Sequence, residues 1–307
     1  MTIDILAYGE AMVEFNQRVD NPLLYLQGYG GDTSNFCIAA ARQGASTGFI
    51  SALGCDAFGQ KLRSLWSEES VNAQHVENNE YAPTGVYFVS HNDAGHHFDY
   101  LRAGSAASLY QCAQLPLQVI SAAKIFHLSG VSLAISESAC DAGLFAMQHA
   151  RQNNVLTSLD TNLRLKLWPL ERAREKMHEA FELCDICLPS WDDISALTGL
   201  DDRDAIVDRL LAYGIKIIAF KLGAEGCYVA TQHERKLIAG YKVNAMDATG
   251  AGDCFGGAFI ARIAVGDDPF TAARYANICA ALSTQGYGAV APIPTKDEVM
   301  LKIENLE

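Results

Sequence analysis

Asp247-Ala-Thr-Gly-Ala-Gly-Asp-Cys-Phe-Gly-Gly-Ala-Phe259 packs a flexible loop, a helix start and a carboxylate into one short stretch. Gly250 and Gly252 let the backbone turn tightly and come close to a ligand, and the apolar run Phe255, Ala258, Phe259, Ile260 predicts a buried helix beginning there. The first N–H groups of such a helix lack intrahelical partners and attract anions. Asp253 falls in that first turn, so the stretch reads as a phosphate site carrying its own base, placed to take the proton of a hydroxyl that attacks a phosphate. The helix start is expected to favour the charged form of Asp253. A turn with a dipole-stabilising carboxylate explains an isolated Gly-Ala-Gly-Asp more simply, so the decision rests on the rest of the chain.

Moving outward, Gly30-Gly31-Asp32-Thr33-Ser34-Asn35 opens a second helix over Phe36 to Arg42, and Gly54-Cys-Asp-Ala-Phe-Gly59 opens a third that ends near Ser67. Short apolar runs predict buried strands at 3–8, 47–52, 124–128, 155–159, 185–188, 216–220 and 226–231. Helices are predicted at 136–151, 170–183, 194–197, 202–212, 250–265 and 268–284. Strands alternating with helices predict an α/β fold with a mostly parallel sheet covered on both faces, with ligands beyond the carboxyl ends of the strands. The glycine loops are then expected to share one rim. Residues 84–91 and 96–101 read as a hairpin joined by Asn92-Asp-Ala-Gly95. With 11–29 they have no helix to cover them and are expected to form a small sheet shielding the site as a lid, over roughly 11–29 and 84–102. The whole chain, 1–307, is expected to be a single domain.

Composition excludes several function classes. The 307 residues are 50% hydrophobic and 19% charged, as in an ordinary soluble globular protein. A formal charge of -13 leaves no basic tract for a nucleic-acid backbone or an anionic membrane, so an anionic ligand must be held by local Arg, Lys and amide groups. Met1-Thr-Ile-Asp-Ile-Leu-Ala lacks a basic region before an apolar one, and a cytoplasmic location is expected. The nine cysteines read as reduced buried thiols, including Cys184 and Cys187 of the one C-x-x-C. His96-His97 is a weak metal pair, because adjacent strand residues face opposite ways.

Two nucleotide folds fail at specific residues. Gly28-Tyr-Gly30-Gly31-Asp-Thr33 has Thr where a dinucleotide fingerprint needs its third glycine, and Gln60 stands where a P-loop needs lysine.

Taken together, Asp247 to Asp253, Gly30 to Asn35 and Gly54 to Gly59 resemble the ribokinase-like carbohydrate kinase family over nearly the whole chain. Tyr100-Leu-Arg102-Ala-Gly-Ser105-Ala106 and Leu159-Asp160-Thr-Asn162-Leu-Arg164 are similar to the 2-keto-3-deoxygluconate kinases within it. The resemblance implies a three-layer α/β/α core with a small β-sheet lid, ATP and Mg2+ as cofactors with K+ as a further candidate, and phosphorylation of an acid sugar at its 6-hydroxyl. The rival substrate is fructose or another ketose. Asp253 matches the catalytic base and Gly250, Ala251 and Gly252 the anion hole. Gly31, Asn35, Tyr87, Tyr100, Arg102 and Arg164 match sugar contacts, while Asn162, Arg164, Lys221, Gly223, Gly226 and Asn277 match nucleotide contacts. A homo-oligomer is the expected assembly.

The residues themselves agree, since an acidic chain needs dedicated cations for a keto acid, and a guanidinium can hold a carboxylate by two parallel hydrogen bonds. A Schiff-base lysine or metal cluster suited to an aldolase or isomerase is not evident. A binding protein without activity would have lost the carboxylate or the glycines. Three positions depart from the family. Ser190-Trp-Asp-Asp193 replaces the usual N-x-x-E, leaving Asp193 as the candidate magnesium residue, acting through water; Gly256 replaces Asn or Asp; and Tyr287 replaces an acidic sugar contact.

Overall fold

The computed structural model describes residues 3–18, 20–92 and 95–305. The first half contains β1 (Ile5–Tyr8), β2 (Met12–Gln17), β3 (Tyr25–Gly30), α1 (Asp32–Arg42), β4 (Thr47–Gly54), α2 (Ala57–Glu68), β5 (Val71–Asn79), β6 (Val86–Asn92), β7 (Gly95–Leu101), α3 (Leu117–Ala122), β8 (Ile125–Ser129), α4 (Gly130–Leu133) and α5 (Glu137–Gln152). The second half contains β9 (Leu156–Asp160), α6 (Leu170–Glu182), β10 (Ile186–Leu188), α7 (Trp191–Thr198), α8 (Arg203–Ala212), β11 (Ile217–Lys221), β12 (Gly226–Thr231), β13 (Arg235–Ala239), α9 (Ala251–Ala264), α10 (Pro269–Ser283) and α11 (Lys296–Glu304).

The large sheet runs β13-β12-β11-β10-β9-β8-β1-β4-β5. It is parallel from β5 through β11, and β12 and β13 add antiparallel to its edge. Its strands are apolar on both faces because both faces are covered. Phe126, Leu128, Met147, Met177 and Ile206 pack on one side; Phe36, Phe49, Trp66, Phe259 and Ile278 pack on the other. The α/β/α layering expected from the resemblance is therefore present. Order reverses at β1, which pairs with β4 on one side and β8 on the other, and a crevice beyond the carboxyl ends is the expected ligand position.

A second sheet, β3-β2-β6-β7, stands over that end. It covers the segments expected to form the lid. In the predicted hairpin β6 and β7 are antiparallel, with Asn92 opposite Gly95; Asp93, Ala94 and the side chain of His96 lie outside the described residues. β5, β13, α3, α4 and α11 are additions to the sequence expectation. Two cysteines correct it: Cys55 and Cys112 are exposed, while the other seven are buried. Among the described residues no helix is long and apolar enough to cross a membrane.

Helices α1 and α9 are held together by the absence of a side chain. A Cβ at Gly257 would press into the Phe36 carbonyl and lie 2.7 Å from Ala39 Cβ and 2.9 Å from Ala40 N. Gly256 similarly faces Phe36 and Leu188, which accounts for a small residue there. Gly257→Ala is expected to force the helices apart and to cost about 1–3 kcal/mol or more, as overpacking does. Urea unfolding measures it, and an unchanged midpoint would show that the helices yield freely.

Candidate functional site

The carboxyl ends of β9, β10 and β11, the starts of α1, α7 and α9, and the small sheet line an open cavity of about 1400 Å³. Helices α2, α5, α8, α10 and α11 are closed by the side chains of Asp56, Ser136, Asp202, Asp268 and Thr295. Helices α1 and α9 instead begin at Gly31 and Gly250 with no side-chain cap, and both glycines line the cavity. In α1 the Thr33 N–H donates to Asp32 Oδ1 at 2.8 Å, and in α9 the Ala251 N–H, one of the expected anion-hole amides, donates to the Ala248 carbonyl at 3.1 Å; the other first-turn N–H groups lack intrahelical acceptors and suit an anion. The local backbone requires glycine: Gly31 has φ 110 with its missing Cβ against the Glu10 carbonyl, and Gly250 has φ 73 with its missing Cβ 2.8 Å from Ala289 Cβ.

Asp253 sits in the first turn of α9 and accepts from Asn35 Nδ2 at 2.9 Å. Asn35 Oδ1 is buried without a hydrogen-bond partner among the described residues. Asp32, in the first turn of α1, accepts from Asn162 Nδ2 at 2.8 Å. Asn162 has φ 24, a conformation tolerated by Asn, and its N–H donates to Asp160 Oδ1 at 3.2 Å. Asp160 Oδ2 in turn holds Lys221 Nζ at 2.5 Å. Four sequence-distant segments are thus joined through Asp32, Asp160 and Asp253.

The charge of that group corrects the expectation for Asp253. Burial first, then Asp32 and Asp160, pushes its carboxyl up to about 8, against the opposing pull of the Asn35 bond and Lys221. Desolvation and like charges outweigh the helix start.

The small sheet supplies the opposite wall. Tyr87 and Tyr100, with ring centroids 5.8 Å apart, face the cavity with Phe98. The Tyr87 hydroxyl donates to Glu14 Oε2 at 2.5 Å. Arg102, at the end of β7, is buried rather than a surface charge, and its Nη2 lies 2.6 Å from Glu10 Oε2. That pair is a charge contact rather than an aligned hydrogen bond, and Nε and Nη1 of Arg102 also lack hydrogen-bond partners among the described residues. Ser105 Oγ donates to Glu10 Oε1 at 2.6 Å. Arg164 is exposed at the rim and donates to the Leu163 carbonyl at 2.9 Å.

Most predicted residues converge. Gly31, Asn35, Tyr87, Tyr100, Arg102, Asn162, Arg164, Asp193, Lys221, Gly223, Gly250, Gly252 and Asp253 line the cavity. Ala251, between two lining glycines, and Gly226, at the start of β12, are not among its lining residues. Asn277 stands apart: its amide donates to the carbonyls of Ile238 and Ala239 at 3.0 and 3.1 Å, tying α10 to β13. The Gly54 to Gly59 loop does not share the rim. Asp56 there caps α2 and accepts from Thr84 N at 2.8 Å, fastening the base of the lid. Tyr287 is 74% exposed and also lies off the cavity wall. Sequence reasoning missed Glu10, Glu14, Asp32 and Asp160 as members of the site. Asp32 and Asp160 lay inside quoted motifs, whereas Glu10 carried no signal except its place just after β1, which ends at Tyr8.

No group of three or more His, Cys, Asp or Glu side chains among the described residues is arranged to hold a metal ion. Asp193 Oδ2 accepts from Thr161 Oγ1 at 3.4 Å and faces the cavity beside Asp192. This donor set fits a magnesium carried mainly by phosphates and water and does not fit a protein cage.

A carboxyl held at about 8, above its ordinary 3.8, contributes stability that is fully present below 3.8 and is lost as pH rises through 8. Asp253→Asn, neutral throughout, is therefore expected to melt above the wild type at pH 9 and to lose that advantage by about pH 4. Thermal unfolding across this range checks the sign; a constant difference would remove the charge explanation.

The sequence profile of the pfkB family carbohydrate kinases matches residues 2–296. The chain is 33% identical to fructokinase-1 of Oryza sativa subsp. japonica over 318 aligned positions, covering 98% of each chain. It is 32% identical to 2-dehydro-3-deoxygluconokinase of Thermoproteus tenax, covering 98% of this chain and 94% of that one. Among solved structures, a putative ribokinase II of E. coli in complex with ATP and Mg2+ superposes with a TM-score of 0.91 at 27% identity, covering 99% of both chains. With the family profile spanning nearly the whole sequence and the fold agreeing throughout, this chain belongs to the pfkB family of carbohydrate kinases.

Proposed function

We propose that this sugar kinase transfers the terminal phosphoryl group of ATP to the 6-hydroxyl of 2-keto-3-deoxygluconate, the compound also called 2-dehydro-3-deoxygluconate. The observation that carries the acid-sugar reading is the pair of guanidiniums on the cavity wall with donors to spare: Arg102 Nε and Nη1, and Arg164 at the rim. A specific observation favours a ketose as the second reading, because Glu10 already offsets the Arg102 charge at 2.6 Å. Arg164 is then the sharper discriminator. Overall likeness does not separate the readings, since the fructokinase and the gluconokinase relatives are 33% and 32% identical.

In the reaction, the sugar oxygen forms a bond to phosphorus, the bond from phosphorus to the ADP oxygen breaks with its electron pair leaving on ADP, and the hydroxyl proton passes to Asp253. Asn35 orients that carboxylate through its 2.9 Å bond. The uncapped first turn of α9 faces the negative charge of the transferred group. Magnesium, when bound with the nucleotide, supplies charge neutralisation, with Asp193 reaching it through water. The lid sheet, with Tyr87 and Tyr100 against the sugar, excludes water from the phosphoryl group.

A coupled ADP-release screen over keto acids and neutral ketoses tests the assignment. Arg164→Met should reduce kcat/KM for the acid sugar roughly ten- to a hundred-fold, the value of a hydrogen bond to a charged group, and affect neutral ketoses much less. Equal losses would leave Arg164 without a part in choosing the sugar and favour the ketose. Asp253→Asn should lower kcat about a hundred-fold or more on whichever sugar reacts. Lid closure is tested separately by hydrogen exchange, with β6 and β7 amides expected to gain protection at saturating sugar; unchanged protection would refute closure.

A further inference from the structure

A second cavity, of about 310 Å³, shares no lining residue with the first. Its walls are the segment Tyr241-Lys242-Val243-Asn244 after β13, Leu282 and Gln285 around the end of α10, and Lys302 on α11. Asp and Glu outnumber Lys and Arg by 36 to 23 in the chain, yet two lysines and no carboxylate line this cavity. Among the described residues the ion-paired lysines are Lys124, Lys176, Lys216 and Lys221, so Lys242 and Lys302 keep their charge uncommitted. The backbone adds donors of its own. β13 ends at Ala239, and from Tyr241 to Ala245 no N–H donates a hydrogen bond among the described residues. Pairing resumes at Met246 and Asp247, whose N–H groups both donate to the Thr284 carbonyl, at 2.7 and 3.1 Å, and fasten the segment to the end of α10. Asn244 and Gln285 contribute side-chain amides, while Tyr241 and Leu282 pack on the core and give the cavity an apolar floor.

We propose that this cavity is a second, non-catalytic site that binds the phosphate group of a small metabolite between Lys242 and Lys302. Ammonium groups hold phosphate as point charges, and successive free amide N–H groups form concavities for anions. Both kinds of donor meet here, with no carboxylate to repel the ligand. A volume of about 310 Å³ suits a ligand of sugar-phosphate size. The site takes no part in phosphoryl transfer and does not depend on which sugar the catalytic cavity accepts. Two solvated lysines on an open surface would gather counterions without choosing among them, and their effect would vanish against added salt.

Calorimetry with inorganic phosphate and glucose 6-phosphate as probes tests this, at constant ionic strength set by sodium chloride and with ADP and magnesium saturating the nucleotide site. The wild type should bind a probe saturably, and Lys242→Ala/Lys302→Ala should weaken that binding roughly ten-fold or more. Lys236→Ala/Lys296→Ala removes two exposed lysines that line neither cavity and should change it less than about two-fold. Binding of both probes identifies the phosphate group alone as what is read, binding of glucose 6-phosphate alone shows that the sugar-sized space contributes, and either supports the site. Binding that survives in Lys242→Ala/Lys302→Ala, an equal loss in the control pair, or no saturable binding by the wild type would overturn the proposal. Sugar turnover of Lys242→Ala/Lys302→Ala should match the wild type, because neither lysine lines the catalytic cavity. A failure of the substrate assignment would leave the binding result standing.

Discussion

The contact between α1 and α9 is the constraint on which the site depends. At Gly257 the two helices meet with no side chain between them, and Phe36 and Ala39 occupy the space a Cβ would need. This close approach brings Asn35, one turn into α1, within 2.9 Å of Asp253, one turn into α9. It also places two uncapped helix starts at one cavity wall. The large apolar faces of the helices supply the stability, and the glycine fixes the distance. Asp253 and the amide that orients it are therefore positioned by helix packing away from the cavity wall.

Electrostatics works against the fold here and in favour of the chemistry. A chain of net charge -13 gathers Asp32, Asp160 and Asp253 around a cavity suited to anions, with the half-buried cation of Lys221 paired to Asp160. The same arrangement raises Asp253 by desolvation and repulsion. Groups held in such an environment are matched to proton transfer near neutral pH, which an exposed aspartate is not. On the lid side, Glu10 and Arg102 are a second buried pair, and Ser105 satisfies one of the remaining carboxylate oxygens.

Much of this was legible in the chain. Glycines before apolar runs marked the starts of α1 and α9, and the strand and helix rhythm gave the layered sheet. Positions separated by more than two hundred residues, such as Asn35 and Asp253, could be joined only through the family resemblance. Glu10 was not legible, because a carboxylate after a strand becomes informative only once Arg102 is seen beside it. The surroundings of Asn277 were hidden for the converse reason: an amide near the expected nucleotide end has its donors spent on the β13 carbonyls, which only the fold brings beside it. The strand β13, with mostly exposed residues, gave no buried-strand pattern to read.

The raised carboxyl of Asp253 makes the empty protein a proton store. A carboxyl pushed up to about 8 by burial and by Asp32 and Asp160 favours its protonated form at neutral pH. In the role proposed above, Asp253 gives that proton to solvent before it accepts one from the sugar. Assembly of the reactive complex is coupled to buffer, and the heat of ligand binding contains the ionisation heat of whichever buffer takes the proton.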